Sequence, residues 1–505
     1  MGKRRTSDDS PLPEVFVSTR ETSRVVSAAV AAGKARKLAA RLYTSNMVDA
    51  PDSIIRRNLW RVVSLVVPGT VVSHRTAIEM RPAEDGSVFL TAGYDRRVEL
   101  PGLRLRLVKG PGAVEGDTQL FDLHLASRAR ALLEVLKPSR ARQGVARGLP
   151  RAQVEELLER DLVAGGEAKL NTIRDHARTV ASVLEADEPF ETLNGIIGSL
   201  LGTRKTALAA PVALARAAGE PYDPLRLERF QTLLAALRAH SVVPRSNARS
   251  PDAEFSNLAF FDAYFSNFIE GTRFNVGEAH EIVFDGKIPE SRPEDAHDVL
   301  GTYHLVGSRA MMGRSVSRFP DFDAFIDALR DAHAAILSAR PGKRPGQFKK
   351  VGNVAGDSTF VEPDLVRGTL RQGFEIARSL EEPFHRAVAM MFILAEVHPF
   401  DDGNGRIARA FMNAELISAE QRRILIPIVY RNDYLTGLRV LTRQGHPIPL
   451  IQVLDFAQKY TAAIDFADYD RGLAMLRATN ALEEPRPDVK LHMPQIAHGG
   501  VEVWD

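Results

Sequence analysis

Twelve residues, HPFDDGNGRIAR from His398 to Arg409, gather one imidazole, two carboxylates, two glycines around an asparagine and two arginines. Glycine-rich loops that open a helix leave backbone amides exposed, and with the positive end of the helix dipole they form an anion site that suits phosphate. Arg406 and Arg409 stand one turn apart on the helix that follows and would neutralise successive phosphates. Asp402 is a hard oxygen ligand for a magnesium ion shared with those phosphates, and His398 is a base near neutral pH. Together these groups describe nucleotide-dependent transfer onto a hydroxyl. Taken singly, each also fits a structural loop in which His398 is a satisfied core residue and the charges are solvated.

The elements around the loop must deliver these groups. In EEPFHRAVAMMFILAEV (381–397) the apolar run from Ala387 to Ala395 is long enough for a buried helix and too short to span a bilayer. It brings His398 to the end of a core helix, where Pro399 disfavours continuation and Gly403 and Gly405 allow a sharp turn. RIARAFMNAELISAE has apolar residues at helical spacing, so a second helix begins near Gly405.

The loop resembles the signature of the Fic family, HPFx[D/E]GNGRxxR, at every specified position. The resemblance implies a helical core with a β-hairpin flap that transfers AMP from ATP, with Mg2+, to a Ser, Thr or Tyr hydroxyl of a target protein. It implies His398 as the base, Asp402 as the metal ligand with Asp401 at a variable position, and Phe400 as a positional apolar anchor. Gly403, Asn404 and Gly405 would cradle phosphates, Arg406 would meet the β-phosphate region and Arg409 the γ-phosphate. DALRDAHAAIL (327–337) and GQFKKVGNVAGDSTFVEP (346–363) resemble the family's helix and flap, with Lys349 and Lys350 where many members have arginine. RNDYLTGL (431–438) nominates Tyr434 beside adenine, against simple core packing.

SNFIEGT (266–272) resembles the family's inhibitory [S/T]xxxE[G/N] element. Residues 254–271 are apolar at helical spacing, Ser266 and Glu270 share a face, and Gly271 suits a helix end. By resemblance, Glu270 should reach Arg409 and take the place of the γ-phosphate. A solvated glutamate is the alternative.

At 505 residues the chain should hold two or more domains. It contains no cysteine, which excludes disulfides and thiolate metal sites. The N-terminal MGKRRTSDDSPLPE lacks an apolar signal segment and no run reaches membrane-spanning length, so a cytoplasmic protein without membrane contact is expected. Residues 1–150 carry 25 Lys and Arg against 15 Asp and Glu, whereas the remainder carries 41 against 49. A basic first third and an acidic remainder predict separate partners, with an anionic polymer for the first.

Residues 25–43 and 53–67 read as helices, Pro68-Gly69 as a turn, and 71–80 as a third helix with Ser73, His74 and Arg75 near its start. SVFLTAG, RRVELPG and LRLRLVKG read as short strands. Winged helix plus small β subdomain is the expectation, and Arg56, Arg57, His74 and Arg75 are the candidate contacts to duplex DNA. SHRTAIE, GSVFLT, VELPGL and LASRARALLE resemble the AbiEi-type antitoxin and transcriptional-regulator family.

The fold expected is mainly α. Residues 1–145 form the DNA-binding region, 146–253 a helical connector, 254–465 the Fic domain and 466–505 a loosely held tail. The functional expectation is a protein adenylyltransferase restrained by Glu270, with a second copy of the chain as a further candidate partner. The alternative is a DNA-binding regulator whose core senses nucleotide or holds a partner without catalysis.

Overall fold

Strand pairing, rather than helical periodicity, governs the start of the chain in the computed structural model. The model describes residues 12–139, 144–247, 251–356, 358–497 and 500–502. The chain divides into two units, Met1–Ala218 and Gly219–Asp505.

In the first unit Val15–Val17 (β1), Arg36–Ala39 (β2) and Leu42–Thr44 (β3) form an antiparallel sheet in the order β1-β3-β2, with Ser23–Ala31 (α1) between β1 and β2. The helix expected over 25–43 therefore stops at Ala31. Leu42, fully buried, pairs with Val17, and this long-range pairing outweighs the helix propensity of the alanine-rich segment. Pro51–Arg57 (α2) and Leu59–Val66 (α3) replace the single helix expected over 53–67. They part at Asn58, whose Nδ2 donates to Glu14 Oε2 at 2.9 Å and Ile54 O at 3.0 Å.

The third expected helix starts late. Val71–Val72 (β4) is a strand, and only His74–Glu79 (α4) is helical. The three expected strands are present as Ser87–Ala92 (β5), Arg96–Leu100 (β6) and Leu103–Lys109 (β7), joined by Thr118–Leu120 (β8) and Leu123–Leu125 (β9). They make a six-stranded sheet in the order β6-β7-β5-β4-β9-β8, parallel at β5/β7 and β4/β9. Arg128–Leu136 (α5), Arg151–Val180 (α6), Asp187–Leu200 (α7) and Pro211–Ala217 (α8) complete the unit. The connector expected over 146–253 is thus shared between the two units rather than standing alone.

This arrangement changes the outlook for the four candidate DNA contacts. His74 is buried, with its backbone N–H donating to Glu134 Oε2 at 2.9 Å, so it cannot reach a groove. Arg75 is committed to Glu79 at 2.6 Å, and Arg57 to Glu14 and, at 2.7 Å, to Asp49. Arg56 stays exposed.

The second unit is helical apart from two short hairpins, one of them the antiparallel pair Gln495–Ala497 and Gly500–Glu502 near the C-terminus. Its elements are Pro224–Ala239 (α9), Asp252–Ile269 (α10), Val276–Phe284 (α11), Pro293–Val306 (α12), Arg309–Met312 (α13), Phe322–Ile336 (α14), Val354–Ala355 (β10), Ser358–Thr359 (β11) and Val366–Arg378 (α15). Then come Pro383–Val397 (α16), Asn404–Ser418 (α17), Arg431–Gln444 (α18), Ile448–Ala463 (α19) and Tyr469–Ala478 (α20). Residues 387–394 of α16 are all buried, as their unbroken apolar run requires. The tail expected from 466 instead begins with α20, which buries Leu473 and Leu476 in a cluster with Tyr460. Among the described residues no helix is long and apolar enough to cross a membrane.

Candidate active site

Helix α16 ends at His398, which adopts the left-handed conformation at φ 52° and donates its backbone N–H to Leu394 O at 3.1 Å. Few side chains other than glycine hold this conformation without support, and here the following loop supplies it. Phe400 is fully buried, its ring stacked on His333 with centroids 3.7 Å apart. Asn404 Oδ1 accepts from Phe400 N and its Nδ2 donates to Phe400 O, both at 2.9 Å. The Asn404 side chain therefore shapes the loop, which leaves its backbone amide as the group that could meet a phosphate. Gly403 supplies the tight turn with φ 74° as the N-cap of α17.

His333 was not singled out by the sequence, because one histidine in an amphipathic helix carries no signal. Its Nδ1 accepts from Gly346 N at 2.9 Å, so the ring is neutral with Nε2–H donating to Asp402 O at 3.0 Å. Burial pulls its pKa down to about 4, which keeps it in this form.

Ion pairs of both signs surround the loop. Asp401 accepts a two-pronged pair from Arg344 at 2.8 Å on both sides. Asp402 is 40% exposed, with Lys343 Nζ at 3.7 Å and Arg406 Nη2 at 3.8 Å. Arg406 is buried against Asp298 at 2.8 Å, while its Nε has no hydrogen-bond partner among the described residues. Asp298 also binds Arg340 at 2.9 Å. Neither Asp298 nor Arg340 was legible as a site neighbour, since each pair spans distant segments.

Arg409 lies one turn on. Its Nε donates to Ser266 Oγ at 2.9 Å and its Nη2 to Ser266 O at 2.9 Å and Glu270 Oε1 at 2.7 Å. The two distant motifs thus meet. Arg409 is buried and Glu270 is 35% exposed at the C-terminus of α10, with Gly271 beyond it at φ 102°. Gly405 is helical rather than a turn residue, and its role lies in its missing side chain: a Cβ there would overlap Glu270 Oε1.

His398, Gly405, Arg409, Glu270 and Tyr434 line one cavity of about 580 Å³. Asp402, Gly403, Asn404 and Arg406 are not among its walls, and Ser266 stands behind Arg409. Tyr434 is both wall and core, buried with its hydroxyl on Met391 Sδ at 3.4 Å and its ring 6.0 Å from the Arg409 guanidinium. His398 stacks on Phe360 with centroids 3.8 Å apart. Burial, reinforced by Lys349, lowers its pKa to about 4. Nδ1 faces Ala395 O at 3.2 Å, and a carbonyl only accepts, so Nδ1 carries the proton and Nε2 keeps its lone pair.

Residues 322–416, which contain the flap, α16 and the motif loop, match the model of the Fic/DOC family. The chain carries a Fic domain. The protein adenylyltransferase fic-1 of Caenorhabditis elegans is 24% identical over 186 residues, 36% of this chain and 36% of the relative. The protein adenylyltransferase Fic of Drosophila willistoni is 26% identical over 286 residues, 54% of this chain and 55% of the relative. The chain thus spans about a third to a half of the length of these curated relatives. A solved structure of Fic-1 from C. elegans, residues 134–508, is 17% identical, covering 65% of this chain and 89% of that one, with a TM-score of 0.35. Glu270 and Tyr434, on either side of the matched Fic segment, join the site only through the fold.

Proposed function

We propose that the Fic domain transfers AMP from ATP to a hydroxyl side chain of a protein, and that Glu270 restrains the reaction. The observation that carries this reading is a neutral, buried His398 whose Nε2 lone pair serves the same cavity as the Arg409 guanidinium. The adenylyltransferase names of the relatives support it.

In this reading His398 Nε2 accepts the proton as the acceptor oxygen attacks the α-phosphorus, a new P–O bond forms, and the bond to the β-phosphate breaks with release of pyrophosphate. Arg409 attracts the terminal phosphate, and the free Nε of buried Arg406 is a donor suited to a phosphate oxygen. Asp402 fits a magnesium ion, because its part-exposed carboxylate accepts from Gly403 N at 2.7 Å through Oδ1 and leaves Oδ2 as the single protein ligand that magnesium commonly takes alongside phosphates. No cluster of three metal-binding side chains exists among the described residues, so such an ion would arrive with nucleotide. Its contribution would be neutralisation of phosphate charge.

Glu270 pairs with Arg409 where the terminal phosphate would bind, so its carboxylate and that phosphate compete for one guanidinium. The test is incubation of wild type and Glu270→Gly in lysate with ATP labelled separately at the α- and γ-phosphate. Protein labelled from the α position alone, and more strongly by the variant, is the expected result; label from the γ position, or none, refutes it. An uncatalysed sensor of nucleotide is disfavoured by the poised base.

For the first unit, the surplus of ten positive charges in residues 1–150 supports a polyanion partner, with Arg56 and Arg57, the latter also paired with Glu14 and Asp49, the expected contacts that stay exposed. Binding of the full chain to duplex DNA should weaken steeply as salt rises. Absence of binding at low salt removes this reading.

A further inference from the structure

We propose that Lys349 is a positioning residue for the base: its main-chain and side-chain nitrogens hold the backbone on both sides of His398. The inference rests on the transferase reading above. His398 stands at φ 52°, a conformation that a residue with a side chain leaves unless its neighbours pin it. Relaxation to an ordinary φ would swing the imidazole away from the cavity, and a small misplacement of a reacting group costs much of its rate.

Nitrogens of one short segment supply the pin. Lys349 N donates to Pro399 O at 2.9 Å, just after His398, and Lys349 Nζ donates to Val397 O at 3.4 Å, just before it. The ammonium also donates to Asn353 Oδ1 at 2.7 Å, and Asn353 Nδ2 donates to Phe400 O at 2.9 Å. The carbonyls of Val397, Pro399 and Phe400 are therefore all held from outside the motif loop. Asn353 acts on the ring as well, since its main-chain O accepts from Phe360 N at 3.2 Å and Phe360 stacks on the imidazole.

Hydrogen bonds alone do not call for a lysine. Lys349 is buried, and a neutral donor would make the same bonds without the cost of burying a charge. Burial pulls its pKa down to about 8, so the ammonium keeps its proton at neutral pH; Glu362 and Asp401 favour the charge from farther off and Arg226 opposes it. What the charge adds is its field at the imidazole. A proton on His398 is repelled by Lys349 and attracted by Glu270 and Asp402, and of these charges Lys349 weighs most. Arg409, Glu396, Arg439 and Arg443 border the same cavity. Lys350, next in the chain, is exposed and makes a control for charge without burial.

The test uses the full chain and a pair of readouts. Histidine NMR, with the His398 signal identified by its loss in His398→Ala, follows titration of the ring without any need for turnover. Lys349→Met fills the buried site without charge and should raise the pH at which the ring titrates by about half a unit or more, whereas Lys350→Met should leave it in place. Transfer of α-label from ATP to lysate protein, in the Glu270→Gly background, should fall about tenfold or more in Lys349→Met while ATP affinity by calorimetry stays within about twofold. Lys349→Arg should recover most of that loss. Asn353→Ala keeps the charge and removes one arm of the pin, so it should lower transfer about threefold without moving the titration. A titration unmoved by Lys349→Met, one moved as far by Lys350→Met, or transfer by Lys349→Met equal to that of Glu270→Gly alone overturns the assignment. If Glu270→Gly labels no protein, the transferase reading fails, and the titration still decides whether Lys349 governs the ring.

Discussion

His74 in the first unit and His398 in the second share an unusual set of properties. Both are left-handed, with φ of 53° and 52°. Burial is the main cause that lowers both pKa values to about 4. The difference lies in what faces the ring. His74 Nδ1 meets Ser73 Oγ at 2.9 Å, Thr91 Oγ1 donates to Ser73 Oγ at 2.9 Å, and Glu134 is tied through buried Arg130 to Asp117. That network closes the space with protein. His398 instead borders a cavity of about 580 Å³ shared with a guanidinium. Strain, burial and a shifted pKa mark positions that a fold over-determines, and chemistry further requires room for a second molecule.

The comparison breaks most readily by truncation. His398→Ala in the Glu270→Gly background should lower α-label transfer by about 10²- to 10⁴-fold with ATP affinity kept, whereas His74→Ala should leave transfer unchanged. A comparable loss from His74→Ala would erase the distinction.

Titration sharpens it. A histidine whose folded pKa lies near 4 instead of 6.5 contributes stability that is fully present above pH 6.5 and lost as pH falls toward 4, because the unfolded chain binds more protons in that window. For His74 the loss should reach about 3 kcal/mol, and chemical denaturation of the first unit's transition at pH 4.5 and 7 should show His74→Gln losing less than wild type. Transfer should keep its rate on the acid side well below pH 6.5, since His398 stays unprotonated there. An acid limb centred at 6.5 would place the base in water rather than in this cavity.

A smaller effect is expected at Glu270, whose replacement by glycine should raise transfer about tenfold or more, with Glu270→Gly combined with Arg409→Ala showing no such rise. The smallest is structural. Gly405→Ala should destabilise the chain by about 1 kcal/mol more with Glu270 present than in the Glu270→Gly background, measured as a double-mutant cycle. An additive cycle would mean the two residues do not touch in solution.

Local signals were legible and distant partners were not. The apolar run before His398 and the helical spacing after Gly405 announced α16 and α17, and the Ser266 to Glu270 spacing announced one face of α10. KARKLAARLY was misleading because the partner of β3 is β1, well upstream, and pairing overrode propensity. The loop-shaping bonds of the Asn404 side chain were not legible, because an asparagine beside two glycines looks alike whether its side chain faces phosphate or its own loop. The partners Asp298 for Arg406 and Arg226 for Glu396 are separated by more than a hundred residues, and no periodicity carries such information.

Glu270 is attached to the same molecule as Arg409, and its carboxylate rests against the first turn of α17 through the gap at Gly405. A tethered anion competes with a free one as if present at a fixed local concentration, commonly about millimolar or above. The occupancy of the site by nucleotide then depends on a ratio between that internal concentration and the ATP outside. Because Glu270 caps α10, fraying of a single helical turn changes the ratio without altering any residue that touches ATP.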